Sequence, residues 1–161
     1  MNIDYNVIAT GLLAPVAVLA IKTLLDFSLA HIFVKYFWWL PVRGLFREKP
    51  PKISGRWIQE WDASTSKNFI TATDTQSATT IKQFGSYCLA EYNSKNVKYR
   101  LFGKIKNSYL VGEWYDVKQK TAYFGSFQLR ILDLSTLEGK YIGHSRQTCA
   151  VEEGDWSWRR E

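Results

Sequence analysis

The sequence predicts a membrane-anchored all-β protein, with one or two amino-terminal transmembrane α-helices followed by a small antiparallel up-and-down barrel of eight strands. Three observations carry this prediction. The first 42 of the 161 residues hold four charges, Asp4, Lys22, Asp26 and Lys35, so the whole net charge of +6 belongs to residues 43–161. Val7–Leu25 is one apolar stretch with Lys22 as its single charge. From Ile53 onward, apolar and polar residues alternate with period two in short runs parted by turn residues. A mean hydropathy of −0.23 averages over these unlike halves and conceals them.

The anchor region covers residues 1–42. Val7–Leu25, 19 residues, would form a helix about 28 Å long, close to the hydrocarbon thickness of a bilayer. Gly11 and Pro15 would be poor in a soluble helix but are tolerated in a membrane span. A cleaved signal peptide fits badly, because MNIDYN carries no Lys or Arg and includes an acid. Phe27–Val42 is a second, weaker apolar segment that contains His31 and Lys35 and includes the aromatic cluster Tyr36-Phe37-Trp38-Trp39, of the kind found at membrane–water interfaces. No Gly or Pro separates Lys22 from Asp26, so the sequence leaves open whether there is one span or two. Lys22, Asp26, His31 and Lys35 are the ionisable groups that would be costly in lipid and are the candidates for a membrane function.

Residues 43–52 form a basic linker. Arg43, Arg47, Lys49 and Lys52 outweigh Glu48, which by the positive-inside tendency puts the rest of the chain in the cytoplasm. Cys88 and Cys149 are then expected as free thiols. Lys49-Pro50-Pro51-Lys52 is stiff and marks the boundary to residues 53–161.

In that region Ile53, Gly55, Trp57, Gln59 and Trp61 share one face of a first strand. Ser77–Gln83 and Ser86–Tyr92 form a hairpin through Phe84-Gly85. Val97–Lys106 alternates most cleanly, with Val97, Tyr99, Leu101, Gly103 and Ile105 opposite Lys98, Arg100, Phe102, Lys104 and Lys106. Tyr109–Asp116, Ala122–Leu132, Thr136–Gly143 and Gly154–Arg160 complete the set. Gly103, Gly112, Gly125 and Gly139 inside strands favour a barrel over a sandwich, since tight closure needs places where a Cβ would clash.

Catalysis finds little support. His31 lies in the anchor, His144 has no Ser–acid pair at a recognisable spacing, and Glu152, Glu153 and Asp155 read as a solvated loop. There is no glycine-rich phosphate loop and no Cys-x-x-Cys, so neither an enzyme, a metal site nor a cofactor is expected. For binding, Arg56, Arg100 and Arg130 are cations embedded in strands beside aromatic or aliphatic residues, and Tyr99, Trp114 and Tyr123 are candidate stacking partners. The ordinary alternative is that the cations mark solvent faces and the rings are packing.

Gly55-Arg56-Trp57, with Arg159 and Arg160 in the last strand, resembles the lipocalins, in which a Gly-x-Trp packs against an arginine of the final strand to close one end of the barrel. That resemblance makes Trp57 and Arg159 structural. The order of parts is closer to another family. An apolar anchor, a basic proline linker, and Ile53-Ser54-Gly55-Arg56-Trp57 opening a minimal barrel resemble the membrane-anchored β-barrel effectors of CBASS, a bacterial antiviral system. The closing stretches Leu137–Gly143 and Gly154–Arg159 share the likeness. This resemblance implies a barrel that binds a cyclic dinucleotide made by a partner nucleotidyltransferase, and a chain that self-associates. Its anchor segments, usually two helices in the family, would then disrupt the inner membrane. No DNA or RNA partner is implied. A membrane-tethered, lipocalin-like carrier of a small apolar ligand and a protein-docking scaffold are the alternatives.

Overall fold

A computed structural model describes residues 15–19, 30–41, 49–62, 75–120, 123–144 and 149–161. Among the described residues are the helix α1 (Ala30–Phe37), a helical piece at 15–19, and eight strands: β1 (Gly55–Trp61), β2 (Gln76–Phe84), β3 (Tyr87–Ser94), β4 (Val97–Lys106), β5 (Tyr109–Asp116), β6 (Phe124–Ile131), β7 (Thr136–His144) and β8 (Val151–Arg160). Each strand pairs antiparallel with the next, and β8 returns to pair with β1, so the sheet closes as an up-and-down barrel. The bounds expected for β4 and β5 are matched to the residue, as is the alternation expected within β4. The β2–β3 turn sits one position later than expected, at Gly85-Ser86, because Gly85 takes the left-handed conformation there (φ 59°). The β3–β4 hairpin turns through Lys95 and Asn96, both at positive φ, the backbone geometry that matches the twist of the flanking strands.

Period two sorts the strands into an inner and an outer face. Trp57, Gln59, Thr79, Ile81, Cys88, Leu101, Leu110, Phe127, Leu129, Leu137, Trp156 and Trp158 point inward and are buried. Cys88 and Cys149 are free thiols, the first buried and the second exposed, and burial pushes the Cys88 thiol pKa up. Several glycines make room within this wall. A Cβ at Gly112 or Gly139 would run into a backbone oxygen of the adjoining strand, Phe102 O or Gln128 O.

Alternation fails at one place. Cys88, Leu89 and Ala90 are all buried, although Leu89 points outward. The reason is α1, which packs across the outside of β2 and β3 with Val34 buried. Among the described residues no helix is long and apolar enough to cross a membrane. The second apolar segment, expected as an optional span over Phe27–Val42, holds a helix of eight residues that ends in a turn, with Leu40 N–H donating to Phe37 O. Of the first expected span, residues 15–19 are helical and exposed, and the remainder, with Lys22 and Asp26, lies outside the described residues.

One end of the barrel is shut by a latch. Arg160 lies with its guanidinium 5.3 Å over the Trp57 ring and donates to Leu134 O (2.8 Å) and to Ser54 O. Trp57 Nε1 donates to Ile53 O at 2.8 Å. Gly55 is required here twice over: its φ of 141° is open only to glycine, and a Cβ would sit 3.1 Å from the Arg160 guanidinium. The lipocalin-like closure is therefore made by Arg160, not by Arg159 as the sequence suggested. Trp156, Trp158 and Arg160 share the inner face, and period two turns Arg159 outward. Arg160→Met should destabilise the barrel by about 2 kcal/mol, the scale of hydrogen bonds from a charged donor. Arg159→Met should cost no more than about 0.5 kcal/mol, as for an ordinary surface change; urea unfolding of the two variants measures the difference.

Candidate functional site

The two ends of the barrel differ. The latched end carries the tight turns between β2 and β3 and between β4 and β5. The other end carries the connections β1–β2, β3–β4, β5–β6 and β7–β8, and there the inward side chains of Trp61, Tyr99, Trp114 and Tyr141 are only half-buried. This is the mouth, and it is aromatic. Ring centroids lie 5.5 Å apart for Tyr92 and Tyr99, 5.9 Å for Tyr99 and Trp114, 6.2 Å for Trp114 and Tyr141, and 5.7 Å for Tyr141 and Trp156. Trp61 joins the chain through Tyr92 at 5.9 Å. Mostly edge-on or tilted contacts of this kind fix ring orientation.

Glycines set the position of Trp114. A Cβ at Gly125 would lie 2.7 Å from the Trp114 Nε1, and one at Gly143 would lie 2.6 Å from its Cζ2, so the indole lies against bare backbone of β6 and β7. Tyr141, also from β7, lies over Gly154 of β8 and donates its hydroxyl to Asp62 O at 2.7 Å.

Beneath the rings are buried polar groups. Gln59 is fully buried and accepts from Trp156 Nε1 at 3.1 Å, which fixes which end of its amide is oxygen. Among the described residues three buried side-chain nitrogens have no hydrogen-bond partner: Gln59 Nε2, Trp114 Nε1 and Trp158 Nε1. Gln59 and Trp158 are direct partners in the β1–β8 register, so two of these donors are neighbours. All three are donors. An interior that leaves N–H groups unmatched favours an occupant rich in acceptors.

Burial raises the phenol pKa values of Tyr92, Tyr99 and Tyr141, and Tyr99 is the one that also faces a buried carboxylate. Burial first, then the Asp116 carboxylate and Tyr123, push its phenol up to about 12, so it stays a neutral donor. Asp116 is itself buried and tied to its turn, with Oδ1 accepting from the N–H groups of Lys118 (2.7 Å) and Gln119 (3.2 Å). Lys118 and Lys120 follow on the same connection, and the Lys120 ammonium sits 5.4 Å from the Tyr115 ring. Asp62 after β1 and Glu152 of β8 are further acidic groups at this end, and both add to the burial that raises the Tyr141 phenol.

The six candidate binding residues thus divide by face. Tyr99 and Trp114 point into the mouth, and Tyr123 stands at its edge, with its ring 6.5 Å from that of His144. Arg56, Arg100 and Arg130 point outward from β1, β4 and β6, and the barrel does not bring them together. Arg56 and Arg130 are exposed, the latter in register with Tyr109 and Glu138. Arg100 is engaged: its Nε and Nη2 donate to Glu91 Oε1 at 2.9 and 2.6 Å while Lys98 Nζ meets Oε2 at 2.8 Å. Of the membrane candidates, His31 and Lys35 are half-buried on α1. Sequence reading passed over Tyr92, Tyr141, Trp156, Trp61 and Gln59, all of which share the inner face with Tyr99 and Trp114. The signal was the repeated inward aromatic near the same end of successive strands. No group of three His, Cys, Asp or Glu among the described residues is placed to hold a metal ion.

The Glu91 clamp gives a pH-dependent term. Burial pushes the Glu91 carboxyl pKa up, but the hydrogen bonds and charges of Lys98 and Arg100 outweigh that, and the net result is a lowered pKa. A carboxyl lowered on folding stabilises the fold above its unfolded pKa, and that contribution fades as the pH falls through the folded value. Glu91→Gln should therefore cost about 1 kcal/mol at pH 7, and thermal melts across pH should show the gap between variant and parent closing below pH ~4. No protein-family model matches the chain, and no curated protein matches it.

Proposed function

We propose that the protein is a membrane-anchored effector of CBASS antiviral immunity whose barrel binds a cyclic dinucleotide at its aromatic mouth. Ligand would gather several chains, and the clustered anchors would disrupt the inner membrane and kill the infected cell. The observation that carries this reading is the cluster of half-buried rings at the mouth, with the unmatched Trp114 N–H among them and those of Gln59 and Trp158 below. Planar bases offer faces for the rings and carbonyl or ring-nitrogen acceptors for the donors; stacking alone is worth about 1–3 kcal/mol per base.

The distribution of charge supports a particular pose. No lysine or arginine among the described residues points inward at the mouth, and Arg160 is spent on the opposite end. The bases therefore go in while the phosphates of the macrocycle stay at the rim, where Lys118 and Lys120 can reach them. Below the rings, Trp57, Trp158, Leu101, Leu129 and Leu137 fill the interior that a fatty acyl chain would need, which weighs against a lipocalin-like carrier. In the anchor, Lys22, Asp26, His31 and Lys35 are poorly suited to isolated helices in lipid and better suited to an assembled cluster that admits water.

The test is a set of thermal melts of the full chain in detergent against cyclic di- and trinucleotides, with fatty acids alongside. A bound cyclic nucleotide at 100 times its dissociation constant should add about 2.7 kcal/mol. Tyr99→Leu and Trp114→Leu should each weaken binding about 5- to 150-fold, the loss of one stacked base. A shift with fatty acids alone would replace this reading with the carrier, and no shift with either would favour the docking scaffold.

A further inference from the structure

Helix α1 is turned the wrong way round for a helix in water. Its barrel side holds Val34, buried, with His31 and Lys35 half-buried beside it. Its outer side and the turn that follows present Ile32, Phe33, Tyr36, Phe37, Trp38 and Trp39, each 38–65% exposed. Six large apolar side chains in one continuous patch mark a surface that something covers.

The residues around the patch say what covers it. In the sequence, α1 follows the apolar stretch Val7–Leu25 after four residues and is followed by Arg43, Arg47, Lys49 and Lys52. Tyr and Trp are the side chains suited to a headgroup layer, apolar in body and polar at one atom. Trp39 already spends its Nε1 on Tyr36 O at 3.1 Å, so its ring can enter an apolar layer without an unmatched donor. The barrel wall carrying α1 adds Lys82 from β2, with Lys104 on the neighbouring β4. Such a surface is complementary to anionic lipid. A second copy laid against the same patch would instead set basic side chains against basic side chains. The helix has eight residues and is about 12 Å long, well under half of a bilayer's hydrocarbon thickness.

We infer that α1 lies flat in the headgroup–acyl boundary of an anionic bilayer, with its aromatic face in the lipid and the β2–β3 wall of the barrel behind it. The chain then crosses the membrane once, through Val7–Leu25, and α1 is a foot that presses the barrel against the membrane surface. This inference rests on the proposed anchor and is independent of the nucleotide.

Nitroxide labels on the full chain, reconstituted in phosphatidylethanolamine–phosphatidylglycerol vesicles, test it. With Cys149→Ser as background and Cys88 protected by burial, single cysteines are introduced as Val18→Cys, Phe33→Cys and Phe37→Cys. Depth is read from collisions with oxygen and with a water-soluble nickel complex. The labels at 33 and 37 should lie at one shared depth, about 5–10 Å below the surface. A depth difference of about 6 Å between them would mean a helix running across the bilayer and overturn the inference. So would both labels in water, or spin–spin broadening between copies without lipid collisions. The label at 18 reads the anchor separately. If it is deep while 33 and 37 are wet, the anchor stands and the foot fails. If it is wet while 33 and 37 are in lipid, the foot stands and the anchor fails.

Discussion

The pairing of β1 with β8 is the constraint on which the rest depends. An eight-stranded sheet of this length left open would expose two edges and half of its apolar face. Closure removes both, and it succeeds because the first and last strands meet with their largest inward side chains interleaved. Gln59 stands opposite Trp158, and Trp61 opposite Trp156. Arg160 then ties the seam at its end, spanning Trp57 of β1, Ser54 just before it, and Leu134 in the β6–β7 connection. A guanidinium is suited to this position because it can stack on an indole while its N–H groups reach separate carbonyls.

Closing one end so firmly makes the other end available. The latched half is filled with side chains that are buried completely, among them Trp57, Trp158, Leu110, Leu129 and Leu137. Toward the mouth the inward residues change from aliphatic to aromatic and from buried to half-buried, and glycines at 125, 143 and 154 let the rings lie back against the wall. Aliphatic side chains at those places would fill the mouth as they fill the floor. Rings laid against glycine rest on bare backbone, above the buried Gln59 amide.

Most of this architecture was legible because period two is a strong signal in a barrel with short connections. Val97–Lys106 placed its own inner and outer faces, and Gly55-x-Trp57 marked the closed end. The identity of the latching arginine was legible too, had the inward series Trp156, Trp158, Arg160 been followed to the end of the chain. Convergence was a different matter. Arg56, Arg100 and Arg130 lie on β1, β4 and β6, and sequence distance says nothing about angle around a barrel axis until the register of every intervening pair is known. The docking of α1 was hidden for another reason. The run Cys88-Leu89-Ala90 shows that β3 is covered on both faces, but hydrophobic length in the anchor suggested lipid as the cover for all of that region, not a strand.

If the ligand and the membrane foot act in one process, β3 stands between them. Its inner face carries Tyr92, a member of the aromatic mouth, and its outer face carries Leu89 on the wall that α1 covers. A signal could pass by reshaping this strand, yet β3 pairs with β4 along its whole length and with β2 over Tyr87–Leu89, and a filled interior lies behind it; such packing resists intermediate shapes. In the proposed function the ligand therefore acts by what it adds at the rim, where a macrocycle with its phosphates outermost can contact a second chain, and not by deforming the strand. A rigid barrel seated on its foot keeps every mouth at one height above the lipid, and this alignment favours lateral association of chains confined to a surface.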